Sequence, residues 1–215
     1  MLKVENISYR YNKKLKPVIE DMSFELRENE ILGITGKSGS GKSTVALCIL
    51  GFLKPESGSI LFNNTSIQIL KQNKKLHTCI QLVMQNPETS FDPNKTLSYS
   101  LNEIRNFMPI THEKKLFEKK ILENMNELQL DTNLLKRYPE EVSGGQLQRF
   151  SILRALLLEP SIIIFDESTS MLDTSVQAKI IRLLLKIKEK NRQAYIFISH
   201  DLKMLSLITD KLIYL

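Results

Sequence analysis

The stretch Gly36-Lys37-Ser38-Gly39-Ser40-Gly41-Lys42-Ser43-Thr44 decides the fold of this chain. It matches the pattern G-x-x-x-x-G-K-[ST] in full, and it lies between an apolar strand at 31–35 and a helix-competent stretch at 43–53. Its glycines allow backbone N–H groups to turn toward a polyphosphate, and the following helix directs its positive dipole end at the same anion. Lys42 is expected to reach the terminal phosphates, and the Ser43 hydroxyl suits Mg²⁺. A glycine turn that binds nothing is the alternative, but all fixed positions and both flanks favour a phosphate site.

Two acidic residues form a second candidate site at the end of an apolar strand. The strand Ile162–Phe165 leads directly into Asp166 and Glu167. Ligands of α/β sheets bind at the carboxyl ends of strands. We therefore expect Asp166 to hold the Mg²⁺ shell through water, and Glu167 to act as a general base on an attacking water. The alternative is a pair of N-cap acids for the next helix, which is less favoured beside a phosphate loop.

The strand and helix patterns predict a single domain, 1–215, with a helical insert. A length of 215 residues allows one large or two small domains, at roughly 150 residues each. Strand patterns occur at 2–11, 22–26, 31–35, 80–84, 161–165, 194–199 and 211–215. Helical patterns occur at 43–53, 146–158, 176–190 and 201–207. This alternation implies parallel strand pairing with crossover helices. Because 97–137 is charged and lacks strand signals, we expect an α/β core at 1–86 and 143–215 and a helical insert at 87–142.

Composition and charge exclude several other classes of protein. Hydrophobic residues are 42% and charged residues 25% of the chain, which is typical of a globular protein. Cys48 and Cys79 are too few for a disulfide framework or a zinc ribbon, so a reducing compartment is the simpler interpretation. The net charge of +6 indicates nucleic acid only weakly, because residues 174–215 hold eight basic and three acidic residues. No apolar run approaches the ~18 residues that span a bilayer, and the N-terminus lacks a signal-peptide pattern.

A second glycine-containing segment precedes the helix predicted at 146–158. Ser143-Gly144-Gly145-Gln146 combines two glycines with a hydroxyl at a helix start, and this combination suits an anion. The alternative is an ordinary N-cap with two turn glycines. The segment alone does not decide between the two.

In combination, these segments resemble the ATP-binding cassette subunits of ABC transporters over the whole chain. The matches follow the family's order: 36–44 with the P-loop, Gln85 with the Q-loop glutamine, Ser143–Gln146 with the signature, Ile162–Glu167 with Walker B, Ser170–Asp173 with the D-loop, and His200 with the switch histidine. Tyr11, 25 residues before Gly36, stands where the family places an aromatic that stacks on adenine. Val142, Ser168 and Met171 depart from the family's usual residues but remove no catalytic group. We therefore expect these departures to change the rate of hydrolysis at most, and not the reaction itself.

The resemblance implies an α/β fold: a P-loop NTPase cassette with a mixed sheet core, an N-terminal antiparallel β part and an inserted α-helical subdomain. It implies ATP and Mg²⁺ as the ligands of an ATPase coupled to transport. Catalytic roles then belong to Glu167, His200, Lys42 and Gln85, and Mg²⁺ ligation to Ser43, Gln85 and Asp166. Nucleotide-binding roles belong to Tyr11, 36–44, Ser143–Gln146 and Asp173.

Residues 85–93, Gln-Asn-Pro-Glu-Thr-Ser-Phe-Asp-Pro, resemble a stretch found in ATPases of peptide and nickel importers. This implies import of a small solute of the peptide, nickel or metal-chelate class. An exporter ATPase is the alternative, and a soluble ABC protein without a transport role is less favoured.

The implied partners are transmembrane permease subunits, a second ATPase subunit in a head-to-tail homo- or heterodimer, and, indirectly, an extracytoplasmic solute-binding protein. No nucleic acid is expected. The implied location is peripheral, on the cytoplasmic face of the cell membrane. Because the family's motifs end at His200, we expect no C-terminal regulatory domain.

Overall fold

A parallel sheet brings the phosphate loop and the acidic pair to the same edge. The computed structural model describes residues 1–107, 114–168 and 174–215. The parallel strands are β3 (Ile31–Thr35), β6 (Ile80–Val83), β7 (Ile162–Asp166), β8 (Ala194–Ile198) and β9 (Lys211–Tyr214). Their order is β6-β7-β8-β3-β9, and every described pair is parallel. Since β8 alone separates β7 from β3, the loops after these two strands are near neighbours.

The antiparallel strands form a second sheet. Its strands are β1 (Leu2–Tyr9), β2 (Ile19–Leu26), β4 (Ser57–Phe62) and β5 (Thr65–Ser66), in the order β2-β1-β4-β5. β1 pairs with both β2 and β4 and has register shifts on each side. The expected N-terminal antiparallel part is confirmed, and it is separate from the parallel sheet.

Helices connect the parallel strands and build the insert. The α-helices are α1 (Lys42–Ile49), α2 (Ile67–Gln72), α3 (Leu76–Cys79), α4 (Leu97–Glu103), α5 (Lys114–Glu127), α6 (Gly144–Leu156), α7 (Thr174–Asn191) and α8 (Leu202–Ile208). Short 3-10 turns occupy Pro87–Ser90, Ile104–Phe107, Thr132–Lys136 and Pro139–Glu141. Within the described residues, no helix combines the length and the apolar character needed to cross a membrane.

Three segments differ from the sequence-based prediction. The helix predicted over 43–53 ends at Ile49, and Gly51 follows with a φ of +67°, a conformation that terminates helices. In the helical region predicted over 97–137, the described residues form α4, α5 and 3-10 turns with short connections. Residues 54–79, for which no element was predicted, contain β4, β5, α2 and α3.

The parallel sheet separates two apolar cores, because alternate strand residues point to opposite faces. One core lies on the face of the sheet that carries Ile163, Phe165, Tyr195 and Phe197. These side chains pack with α6, α7 and the insert; Phe150 of α6 and Phe117 of α5 belong to the same core. Ile162, Ile164, Ile196 and Ile198 pack with α1 and the antiparallel sheet. Both faces of β7 and β8 are therefore buried, which explains why these strands are continuous apolar runs with no alternation.

Candidate nucleotide-binding site

The loop between β3 and α1 has the conformation of a phosphate cradle. Gly41 is the N-cap of α1 with a φ of +97°, and a Cβ there would lie 2.8 Å from Val18 O, so only glycine fits. The Lys42 side chain folds back into the loop and is only 7% exposed. Its Nζ donates hydrogen bonds to Gly36 O at 3.0 Å and Lys37 O at 2.9 Å. These two bonds hold the ammonium group at the centre of the loop.

Asp166, the last residue of β7, presents a carboxylate that suits a cation. Its Oδ1 is buried and has no hydrogen-bond partner among the described residues. Burial raises the pKa of Asp166, and the neighbouring Glu167 raises it further, while the Ser43 hydrogen bond and the Lys42 charge act in the opposite direction. An unsatisfied buried carboxylate oxygen beside a serine hydroxyl is the donor set that Mg²⁺ accepts. Asp166 and Ser43 therefore fit the metal role expected for them.

Glu167 follows β7 in a left-handed conformation, with a φ of +46°. Its N–H donates to Ile198 O at 2.9 Å, which fixes the turn against β8. His200, two residues beyond β8, has its Nδ1 at 3.6 Å from Glu167 Oε1. The ends of β7 and β8 thus bring these two predicted catalytic side chains together.

A cavity of about 380 Å³ lies between the phosphate loop and the end of β7, and His200 is not among its lining residues. It is lined by Tyr11, Val18, Ser38, Gly39, Gly41, Lys42, Ser43, Thr44, Gln85, Asp166 and Glu167. Tyr11 is 59% exposed at the cavity, and its hydroxyl lies 3.0 Å from Thr44 Oγ1. Ser40 Oγ is buried with no described partner. The structure therefore gathers residues from five separate sequence segments around one cavity.

The Ser143–Gln146 segment lies elsewhere on the described chain. Its residues are not among those that line the cavity above, whereas Gly144 lines a neighbouring cavity of about 330 Å³ together with Gln148 and Ser168. Ser143 is the N-cap of α6 in a capping box: its N–H donates to Gln146 Oε1 at 2.9 Å, and Gln146 N–H donates to Ser143 Oγ at 3.3 Å. The D-loop residues Ser170–Asp173, including the nucleotide-binding candidate Asp173, lie outside the described residues.

Arg149 supports the signature segment, and the sequence-based prediction gave it no role. Its Nε donates to Gly145 O at 3.2 Å, and its Nη1 donates to Leu128 O at 3.3 Å and Gln129 O at 3.0 Å. Burial lowers the pKa of this guanidinium. The sequence showed only that an arginine follows the glycine pair by one helical turn. Two of its three acceptors, Leu128 O and Gln129 O, lie after α5, some 20 residues earlier, and the spacing of residues does not reveal them.

The fold and the cavity together define a nucleotide-binding protein of the P-loop class, and comparison with known proteins identifies its family. The family model described as ABC transporter matches residues 19–170. The chain therefore belongs to the ABC transporter family, as an ATP-binding subunit that hydrolyses ATP for transport.

Individual relatives agree with this assignment. The chain is 34% identical over 215 residues to the nickel import system ATP-binding protein NikE of Staphylococcus aureus, covering 100% of this chain and 86% of NikE. It is 40% identical over 200 residues to the uncharacterized ABC transporter ATP-binding protein YejF of Escherichia coli, covering 92% of this chain but only 38% of YejF. The dimeric cassette MJ0796 with ADP and Pi has a TM-score of 0.87 at 27% identity, covering 100% of this chain and 94% of MJ0796.

Proposed function

We propose that this chain energises import of a small solute of the peptide, nickel or metal-chelate class. The observation that carries the proposal is the stretch 85–93, which starts at Gln85 in the nucleotide cavity and continues into the insert. The similarity to NikE across the full chain supports import, and nickel as one candidate within that class.

The side chains around the cavity divide the work of hydrolysis. Glu167 accepts the proton of the attacking water. His200, whose Nδ1 lies 3.6 Å from Glu167 Oε1, contacts the γ-phosphate. Lys42 exchanges its two carbonyl partners for phosphate oxygens. Ser43, Asp166 and Gln85 hold Mg²⁺, which when bound neutralises negative charge on the phosphates. Tyr11, exposed beside Thr44, offers a ring face to the adenine.

The active unit is a head-to-tail pair of cassettes, either identical or different. Within one chain, Ser143–Gln146 do not line the phosphate-loop cavity; Gly144 lines an adjacent cavity, and Gln85 lines both. Gly144 has open space around it, since a Cβ there would meet nothing within 4 Å. An exposed helix N-terminus with this opening is suited to the phosphates of a nucleotide on a partner cassette. The dimeric structure of MJ0796 with ADP and Pi supports the pairing of two cassettes.

A groove beside the cavity provides the contact with the permease. Its volume is about 1030 Å³, and its lining residues come from α2 to β6, from 89–107 of the insert and from 151–158 in and after α6. Met84 and Phe107, 45% and 70% exposed, give it an apolar lining. Because Met84 immediately precedes Gln85, a permease segment seated here is one residue from the nucleotide cavity. This contact keeps the chain at the cytoplasmic face of the membrane as a peripheral subunit, with a solute-binding protein acting through the permease.

Co-purification tests the proposal. The chain carrying an affinity tag is extracted from membranes in mild detergent, and its associated subunits are identified by mass spectrometry. We expect a permease among these subunits. In right-side-out membrane vesicles with ATP enclosed on the inner, cytoplasmic side, we expect the solute to accumulate inside. Phe107→Asp should reduce recovery of the permease while leaving ATP binding intact. Association with a permease that moves its solute outward would refute import.

A further inference from the structure

The edge strand β9 is fastened to β3 at the point where β3 begins. Ile31 N–H donates to Asp210 Oδ2 at 2.7 Å, and Asp210 N–H donates to Ile31 O at 2.8 Å. Because its acceptor is a carboxylate, the first of these hydrogen bonds is stronger than a hydrogen bond between two peptide groups. Lys211 adds an ion pair with Glu30 at 2.7 Å, in which the Glu30 side chain is only 12% exposed. The start of β3 is therefore held by two hydrogen bonds and one ion pair from the segment that opens β9.

The middle of β3 contains a glycine because β9 and the turn before it come too close for a side chain. A Cβ on Gly33 would lie 2.6 Å from Leu212 Cδ1 and 2.9 Å from Thr209 Cγ2. Glycine inside a strand commonly marks such a close approach. A larger residue at this position has to move the Leu212 and Thr209 side chains, which pack between β9 and β3.

The end of β9 touches the phosphate loop itself. Leu215 N–H donates to Thr35 O at 2.9 Å, the last residue of β3. The carbonyl oxygen of Leu215 lies only 2.3 Å from where a Cβ on Gly36 would be. The first glycine of the loop thus leaves room for a protein carbonyl, and this contact determines where the loop leaves the sheet.

We propose that β9 positions the phosphate loop for nucleotide binding, and that Asp210 is the residue that fixes β9 in register on β3. The described residues that line the nucleotide cavity include none from 209–215, so β9 acts through β3 and Gly36. A shift of β9 along or away from β3 moves the Leu215 carbonyl and re-aims the loop N–H groups that face the phosphates. The inference concerns ATP binding in general and holds for either direction of transport.

Binding of inorganic pyrophosphate measures the loop directly, because this probe makes no contact with the adenine side of the site. Its Kd is obtained by displacement of a fluorescent ADP analogue from the full chain at 15 °C. Asp210→Ala should raise the Kd of pyrophosphate and of ADP by a similar factor of roughly 5–10, the equivalent of about one lost phosphate hydrogen bond. Asp210→Asn retains an oxygen acceptor for Ile31 N–H and should restore most of the affinity. The matched control is Tyr214→Ala, because the Tyr214 side chain also lies on β9 but is 67% exposed. This substitution should change the Kd of pyrophosphate less than two-fold.

A purely structural role for Asp210 predicts a different result: a lower unfolding midpoint with unchanged Kd in the protein that remains folded by circular dichroism. That outcome would overturn the proposal. Should Asp210→Ala fail to fold, Gly33→Ala provides the second route, because its Cβ crowds the Leu212 and Thr209 side chains and disturbs the packing of β9 on β3. The combination Gly33→Ala, Thr209→Ser, Leu212→Ala removes both clashing atoms and should recover pyrophosphate affinity. Equal affinity of the Gly33→Ala variant and the combined variant would also refute the proposal.

Discussion

Replacing Arg149 by alanine should destabilise the cassette by about 2–3 kcal/mol. The change removes three hydrogen bonds from a charged donor, to the carbonyls of Gly145, Leu128 and Gln129. Each such bond contributes roughly 1.5–3 kcal/mol when fully buried, but the guanidinium is only half-buried and two of the bonds are longer than 3.1 Å. The three contributions therefore add to less than their individual sum. Arg149→Lys should recover a minor part, because an ammonium group cannot reach three acceptors in a fork geometry.

Urea unfolding followed by circular dichroism measures this loss, as a shift of the midpoint at unchanged slope. The matched control is Arg137→Ala, which removes an exposed arginine whose ion pair with Glu141 spans 3.6 Å. Exposed pairs of this kind contribute about 0.2–1 kcal/mol. ATPase activity of the assembled transporter should fall in Arg149→Ala more than stability alone explains, since Gly145 loses its anchor. If the Arg149 and Arg137 variants lose equal stability, the claim that Arg149 holds the signature segment to α5 is wrong.

Other predictions concern the catalytic groups and the thiols. Glu167→Gln should bind ATP yet lose most turnover and accumulate an ATP-stabilised dimer in size-exclusion chromatography; near-normal phosphate release by this variant in the assembled complex would refute its role as base. ATPase activity of the purified chain should be weak and should rise with protein concentration, whereas turnover independent of concentration would contradict a site completed by a partner. The pKa of Asp166 is raised above 3.8 in the folded state, so folding favours the protonated carboxyl. This preference stabilises the fold below pH 3.8, and the stabilisation is lost as the pH rises through the folded-state pKa. Asp166→Asn should therefore stabilise the nucleotide-free chain at pH 7 but not at pH 3.5, as measured by urea midpoints. Burial raises the pKa of Cys48 to about 11, so a thiol reagent at pH 8 should modify Cys79 first, with Cys79→Ser as the control, and Cys48 only after unfolding.

The parts of the fold that the sequence predicted are those whose signal is local. Glycine and lysine at fixed spacing defined the loop before α1, and the apolar runs of β7 and β8 reflected burial on both faces. Gln85 lies near Asp166 and Glu167 because β6 pairs with β7. The sequence alone does not show this pairing, so the expectation that these residues share a site came from the family resemblance.

Other features depend on contacts between distant segments and left no local signal. The Asp210 pair with Ile31 joins residues 179 positions apart, and the Arg149 acceptors lie after another helix. Ser143 shows a different limit: the sequence left open an N-cap or an anion site, and the structure places it as an N-cap with its glycine neighbour exposed. The same geometry serves both interpretations, because an N-terminus that is capped on one side still presents N–H groups on the other.

The capping box at Ser143 has a consequence for the energetics of pairing two cassettes. Both of its hydrogen bonds exist within a single chain, so the turn around Gly144 is ordered before any partner arrives. A flexible glycine turn would lose roughly 1–2 kcal/mol of backbone entropy per residue on binding. In the proposed pair of cassettes, the pre-ordered turn has already lost this entropy during folding, so binding of a partner's nucleotide there would cost less entropy. The signature segment would therefore enter the proposed pair as a turn whose conformation is already fixed by two hydrogen bonds.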